Sequence, residues 1–321
     1  MKTQVFSGTS KGAAEIIKSG GLVAVPTETV YGLAGSGLNE QAVGMIYEVK
    51  GRPAIKPLSL MVHGSEAMDA LCIDVPEQAR MLAARFWPGP LTIVLKAKPE
   101  IPSIVLAGGS TVGLRCPDHP LTLELLRDCG LPLAAPSANP SGEESPKDAG
   151  KVLEYFDGKI DAVIDGGRCG LGRESTIIDM SKTPYRILRQ GALPAENIAD
   201  ALVGGMKIIG ITGGTGCGKT TALQELEAMG ALVLDCDAIY HELLESSAEL
   251  LGEIEKRFPD TVLDGKLDRK ALGAVVFSDA AALSDLNAIT HKYVGLELQR
   301  RLREFAMAGG TLAAIDAIAL L

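Results

Sequence analysis

Met206-Lys207-Ile208-Ile209-Gly210-Ile211-Thr212-Gly213-Gly214-Thr215-Gly216-Cys217-Gly218-Lys219-Thr220-Thr221 reads as a buried strand running into a phosphate loop. The spacing Gly213-x-x-x-x-Gly218-Lys219-Thr220 lets backbone N–H groups turn inward around a phosphate. Lys219 would reach the β and γ oxygens, and the Thr220 hydroxyl would ligate Mg²⁺. A helix is expected immediately afterwards, its N-terminus adding positive potential. In a chain with 37 glycines this spacing can arise by chance, but the apolar strand before it and the helix-compatible run 222–229 after it supply the context a chance match lacks. Such a loop follows the first strand of its domain, and this one begins at residue 206. A different domain is therefore expected upstream, and 321 residues suffice for two. The division expected is 1–204 and 205–321.

Composition narrows the function classes. Apolar residues make up 46 % and charged residues 22 %, and no uninterrupted apolar run reaches the ~18 residues a membrane span needs. The N-terminus carries Lys2 without an apolar signal region, so the cytoplasm is the expected location. The six cysteines are widely spaced and form no C-x-x-C pair, which fits unpaired thiols in a reducing compartment. Net charge is −9, divided as −3 for residues 1–205 and −6 for the rest, which argues against obligate nucleic-acid packaging while leaving room for a local basic cleft.

Upstream of residue 205 the chain alternates helix-like and strand-like stretches. Residues 21–26 form an apolar strand closed by Pro26, which leads into the hydroxyl-rich Thr27-Glu28-Thr29-Val30-Tyr31. A helix over 39–50, with Asn39 as its cap, delivers Lys50-Gly51-Arg52-Pro53-Ala54-Ile55-Lys56-Pro57, three cations in a loop stiffened by two prolines. This cluster is an anion site or a solvated charge run. His63, after a strand at 58–62, is open between core residue and site residue. Further strands are expected at 91–96, 111–115, 131–135, 161–165 and 174–179, with helices at 9–19, 77–86 and 118–128, and a mobile charged segment at 143–151. Ser137 and Asn139, two residues apart, would point to one side if strand geometry persisted. The tally is an α/β domain with Lys50, Arg52, Arg115 and Arg189 as candidate anion ligands and hydroxyls at Thr27, Thr111, Ser137 and Ser175. It has no carboxylate dyad, no Ser/His/Asp set and no metal-ligand spacing, a pattern suited to electrostatic stabilisation of a polyphosphate.

Pro26-Thr27-Glu28-Thr29-Val30-Tyr31-Gly32-Leu33, Lys50-Gly51-Arg52-Pro53, Arg115-Cys116-Pro117-Asp118-His119-Pro120, Pro136-Ser137-Ala138-Asn139, Ser175-Thr176-Ile177 and Arg189-Gln190-Gly191 closely resemble the YrdC/Sua5 family over about residues 8–200. The resemblance implies a twisted mixed sheet with helices and an L-threonylcarbamoyladenylate synthase. Such an enzyme converts L-threonine, bicarbonate and ATP into threonylcarbamoyl-AMP and diphosphate, and its product feeds the tRNA threonylcarbamoyl transferase machinery. It further implies that Lys50 and Arg52 lie over the ATP phosphates as catalytic cations. Thr27, His63, Arg115 and Ser175 would surround threonine, and Thr111, Ser137, Asn139 and Arg189 would line the nucleotide. A non-enzymatic RNA-binding surface is the alternative; it would spread its cations over a broad face rather than into a cavity.

Downstream, the phosphate loop, Leu234-Asp235-Cys236-Asp237-Ala238-Ile239, Arg269 with Val276-Phe277, and Leu286-Asn287-Ala288-Ile289-Thr290-His291 resemble dephospho-CoA kinase in order and spacing. This implies a partial P-loop kinase-type parallel α/β domain. Gly216, Cys217, Gly218, Lys219, Thr220 and Thr221 would bind ATP, Thr220 would ligate Mg²⁺, and Asp237 would serve as the catalytic carboxylate facing the hydroxyl of dephospho-CoA. A bifunctional synthase and kinase is the corresponding alternative. The run 311–321 resembles the kinase's next core strand and the opening of the loop the family writes D-x-P-L-L, after which family members continue for several dozen residues with lid arginines. The expectation is weak phosphate binding without turnover, and a poorly covered strand near Ile315.

Overall fold

The computed structural model describes residues 2–213, 217–263 and 265–316. The chain divides into two compact units, Met1–Leu202 and Val203–Leu321.

In the first unit the strands are β1 (Gln4–Ser7), β2 (Val23–Val25), β3 (Gly32–Ser36), β4 (Ser59–Met61), β5 (Cys72–Ile73), β6 (Leu91–Ala97), β7 (Thr111–Arg115), β8 (Leu133–Ala134), β9 (Ala162–Asp165), β10 (Thr176–Asp179) and β11 (Arg186–Arg189). They form one mixed sheet in the order β1-β9-β2-β3-β8-β4-β7-β6-β10-β11, with β5 hydrogen-bonded to β6. The period-two alternation of strand side chains divides the middle of this sheet into a packed face and an open one. Leu91, Ile93 and Leu95 of β6 and Leu114 of β7 are fully buried, each contributing roughly 1.5–3 kcal/mol relative to exposure. Thr92 and Val94, and likewise Thr111, Gly113 and Arg115, face the other way and line a cavity.

Helix boundaries follow from capping. Asn39 accepts from the N–H groups of Gln41 and Ala42 to open the helix Glu40–Lys50, and Gly51, at φ 58°, closes it in the left-handed conformation. The helix Glu77–Phe86 falls where the sequence puts it and stops at Trp87-Pro88. The segment 143–151, expected to be mobile, is instead tied down. Pro146 O accepts from Tyr31 N, Lys147 O accepts from Cys169 N, and Asp148 caps the helix Ala149–Phe156. Its charges are on the surface, but its backbone carbonyls complete the hydrogen bonding of buried neighbours.

The second unit contains β12 (Lys207–Ile211), β13 (Leu232–Asp235), β14 (Val262–Leu263), β15 (Lys266–Leu267) and β16 (Leu312–Asp316). Its main sheet is parallel, in the order β12-β16-β13. β16 is therefore the interior strand. Ala313 and Ala314 are fully buried, which corrects the expectation of a poorly covered strand near Ile315; the more exposed strand is β12, where Ile208 is 43 % accessible. Pairing on both edges of β16, and the packing of Ala313 in one apolar cluster with Val294, Leu298 and Leu302, supply the cover. The 28-residue helix Ala280–Met307 presents Ala282, Leu286, Thr290, Val294, Leu298, Leu302 and Ala306, spaced by four, as its buried stripe.

Candidate active site

Five adjacent strands build the floor of the cavity in the first unit. Met61 pairs with Arg115, Ile177 pairs with both Thr92 and Arg189, and continuing the β6–β7 register sets Thr92 opposite Arg115. One row across the sheet thus runs Met61, Arg115, Thr92, Ile177, Arg189, and every member lines the cavity, whose volume is about 280 Å³. The two arginine backbones are three strand spacings apart, roughly 14 Å, a span that two long side chains can largely close. Glycine shapes this floor in two places. A Cβ on Gly113 would stand 3.1 Å from Thr92 Cγ2 and 3.4 Å from Ser59 Cβ, inside the cavity. A Cβ on Gly191 would fall within 2.4 Å of the Glu174 and Ser175 backbone, so only glycine lets β11 close against that segment.

Arg115 is buried and held on three sides. Its Nε donates to Gly89 O at 3.3 Å, and its Nη2 donates to Glu28 Oε1 and Thr29 Oγ1, both at 2.8 Å. Glu28 Oε2 in turn accepts from Asp118 N. Arg189 donates through Nε and Nη2 to Ser175 O, and through Nη2 to Ser175 Oγ. Among the described residues none accepts from Nη1 of Arg115 or of Arg189. Arg52 is braced by its own loop, donating to Lys56 O at 3.2 Å and Pro57 O at 3.0 Å. Burial, and then the like charges of Arg115 and Arg52, depress the Arg189 guanidinium below its ordinary value against the pull of Glu174. The three cations thus share one space. Thr111, Ser137 and Ser175 add hydroxyls, Ser175 being fixed by a 2.8 Å bond to Thr92.

Four residues singled out from the sequence lie outside this lining. Thr27 is buried and uses its hydroxyl within its own turn, donating to Val30 O at 2.6 Å and accepting from Thr29 N and Val30 N. His63 is exposed, and its carbonyl accepts from the Cys116 thiol. Asn139 does not share a side with Ser137, because β8 ends at Ala134 and the chain then turns. Its amide donates to Pro140 O and Glu143 O, and its Oδ1 is buried without a partner. Lys50, only 3 % accessible, donates to Ser137 O and Asn139 O, while Ser141 N donates to its carbonyl. Burial, with a contribution from Arg52, pushes its ammonium down to about 7.

Sequence reasoning missed Glu28, Thr29, Thr92, Gly113 and Glu174. The alternation Thr111-x-Gly113-x-Arg115 carried a signal for one of them, since a glycine between two polar positions of a single strand face marks room for a ligand.

The Sua5–YciO–YrdC family model, described as "Telomere recombination", matches residues 15–191, more than half of the chain. The chain belongs to this Sua5/YciO/YrdC family. Threonylcarbamoyl-AMP synthase of Pyrococcus abyssi is 47 % identical over 196 residues, covering 61 % of this chain and 57 % of that protein. The Bacillus subtilis protein of the same name is 45 % identical over 193 residues, covering 60 % and 56 %. This chain therefore spans less than two thirds of the length of these relatives. The structure described as P. abyssi Sua5 complexed with L-threonine superposes with a TM-score of 0.61 at 29 % identity, covering 99 % of this chain and 93 % of that one. All the family motifs quoted above between residues 26 and 191 fall in the matched region. A second family model, "Dephospho-CoA kinase", matches residues 207–317.

In the second unit, Gly218 (φ 88°) caps the helix Lys219–Ala228, and Lys219 Nζ donates to Gly213 O at 2.6 Å. Cys217, Thr220 and Thr221 are exposed, and Gly216 lies outside the described residues. Asp237 sits exposed in the first turn of the helix Cys236–Ser246, two residues after its cap Asp235. Among the described residues no group of three His, Cys, Asp or Glu side chains could hold a metal ion. No helix among the described residues is long and apolar enough to cross a membrane.

Proposed function

We propose that the first unit is an ATP-dependent L-threonylcarbamoyladenylate synthase. The observation that carries this reading is the convergence of Arg52, Arg115 and Arg189 on one cavity, two of them with an unpartnered Nη1, in a chain of this family. The chemistry asks for such a cavity. The neutral threonine amine adds to the carbon of bicarbonate with loss of water to give a carbamate, whose oxygen then attacks the α-phosphorus as the bond to diphosphate breaks. Negative charge then accumulates at one place, and preorganised guanidinium groups stabilise it without reorganisation. Arg115, locked by Glu28 and Thr29, takes the threonine carboxylate beside Ser175. Arg52 and Arg189 take the polyphosphate, and Ser137 and Thr111 orient the nucleotide. Thr27 shapes the turn that presents Thr29 to Arg115, and Lys50 and Asn139 fix the loop that carries Ser137. The same convergence favours an enzyme over an RNA-binding surface. The product would pass to tRNA-modifying transferase machinery.

The test is diphosphate release from ATP by the full chain. Release should require both L-threonine and bicarbonate, and threonylcarbamoyl-AMP should appear in equal amount. Release that proceeds without threonine would overturn the assignment. For the second unit we propose nucleotide-phosphate binding at residues 213–221, with Lys219 and Thr220 as the charged and metal-facing groups, on the strength of the family match at 207–317. Phosphorylation of dephospho-CoA, with Asp237 as the carboxylate, is the activity to assay there.

A further inference from the structure

Glu174 is an anomaly in its surroundings. It lines the same cavity as three guanidinium groups and is the one acidic side chain in that lining. A polyphosphate site gains nothing from a carboxylate, which repels the ligand. Nor is this carboxylate taken up by a salt bridge. The neighbouring Arg173 directs its guanidinium to Gln190 O, and Arg189 directs its own to Ser175. Glu174 Oε1 accepts from the Ser145 hydroxyl at 2.6 Å, whereas Oε2 accepts from no other described residue. The group is held in place nonetheless. Glu174 O accepts from Ala192 N, Gly191 permits the close approach of β11, and Ser145 is delivered by the tied-down 143–147 segment. Burial is the largest influence on the carboxyl and pushes it up, but Ser145, its own backbone N–H, Arg189 and Arg173 more than offset that and hold it below its ordinary range.

A fixed, ionised carboxylate with one open oxygen in a cationic cavity is a receptor for a small cation. A zwitterion supplies both complements at once, since its carboxylate seeks a guanidinium and its ammonium seeks a carboxylate. We infer that Glu174 holds the α-ammonium of the amino-acid substrate while Arg115 holds its carboxylate, so that the site selects α-amino acids over the corresponding hydroxy acids. This deepens the synthase reading and rests on it. Glu174 defines the starting position of the nitrogen, which must first release an ammonium proton to solvent so that the neutral amine can add to the bicarbonate carbon. A divalent ion is the weaker occupant, because no cluster of three ligating side chains accompanies Glu174 among the described residues.

The test compares L-threonine with 3-hydroxybutanoate, which keeps the carboxylate and hydroxyl but lacks the amine. Binding to the full chain is followed by calorimetry, with KM values for threonine and for ATP measured alongside. Wild type should prefer threonine by about tenfold or more, the size expected of a hydrogen bond to a charged group. Glu174→Gln keeps an acceptor for Ser145, and should weaken threonine by a similar factor, leave 3-hydroxybutanoate within about threefold and leave the KM for ATP unchanged. Ser145→Ala, which only frees the carboxylate, should show the same selectivity loss at smaller size. Unaltered discrimination in Glu174→Gln would overturn the inference while leaving the synthase reading intact. A rise in the KM for ATP at fixed Mg²⁺ with threonine unaffected would also overturn it, placing the carboxylate on the nucleotide's cation. If wild type does not bind threonine at all, the synthase reading falls and the inference with it.

Discussion

The two units offer phosphate-binding groups of opposite construction. In the second unit they belong to one contiguous loop, in which a strand, a glycine-rich turn and a helix N-terminus follow one another in sequence, and Lys219 returns to the carbonyl of Gly213 only six residues away. In the first unit Arg52, Arg115 and Arg189 come from a loop and two strands, separated by 63 and 74 residues in the chain. They meet because a single row of the sheet carries Arg115 and Arg189, and because Gly113, two residues from Arg115 on the same face, keeps the floor beside it low. A contiguous loop recognises phosphate mainly with backbone dipoles and is indifferent to what the phosphate is attached to. A cavity assembled from distant side chains can read both ends of a small substrate, which the carboxylate among its cations makes explicit.

That contrast breaks most readily at the arginines. Arg115→Ala and Arg189→Ala should each lower threonine- and bicarbonate-dependent diphosphate release by about 100-fold, ~2.7 kcal/mol of transition-state stabilisation. Turnover within threefold of wild type in either variant would remove that arginine from the site. Arg52→Ala and Lys50→Ala should each cost at least about tenfold, ~1.4 kcal/mol, for different reasons. The first removes a cation facing the polyphosphate. The second leaves Ser137 O and Asn139 O without their donor, so it should also lower the melting temperature, which Arg52→Ala should not. Gly113→Ala, whose Cβ would stand 3.1 Å from Thr92 Cγ2 on the cavity floor, should reduce turnover by about tenfold with an unchanged circular dichroism spectrum and only a small fall in melting temperature. Undiminished turnover would mean that the substrate does not use that floor.

Lys50 gives a subtler test. Its folded-state value of about 7 lies below the ordinary lysine range, so between about pH 7 and 10 the unfolded chain binds more protons than the folded one. Stability should therefore rise with pH across that window in wild type relative to Lys50→Met. Parallel pH–stability curves for the two proteins would show that the ammonium is not penalised by its burial. The smallest expected effect is that of Lys219→Ala on the synthase reaction, namely none. The same substitution in an Arg52→Ala/Arg115→Ala/Arg189→Ala background should abolish whatever ATP binding remains, because that remainder belongs to the phosphate loop. Residual ATP affinity that survives the fourfold change would point to a nucleotide contact that uses none of these cations.

Much of this protein is legible in its sequence, for identifiable reasons. The phosphate loop, its preceding strand and its following helix are local in the chain, so glycine spacing and apolar pattern carry them. The Asn39 cap and the stop at Trp87-Pro88 are likewise one-turn phenomena. The three arginines could be named as anion ligands because charged residues at strand ends and in proline-stiffened loops have few other uses. What the sequence left open was decided by long-range pairing. Thr27 and Asn139 sit in motifs as promising as that of Ser137, yet the Thr27 hydroxyl and the Asn139 amide nitrogen are engaged by their own turns through hydrogen bonds within one to four residues. Lys50, at the end of the helix Glu40–Lys50, directs its ammonium to two carbonyls of another loop, a long-range pairing that no local pattern announces. Strand pairing places Thr92 between two arginines in one sheet and β16 inside the other, and Glu174, just before β10, lines the same cavity as Arg189 and Arg115. Side-chain direction alternates along a strand, but which strands become neighbours is settled only when buried faces pack, and no local pattern encodes that choice.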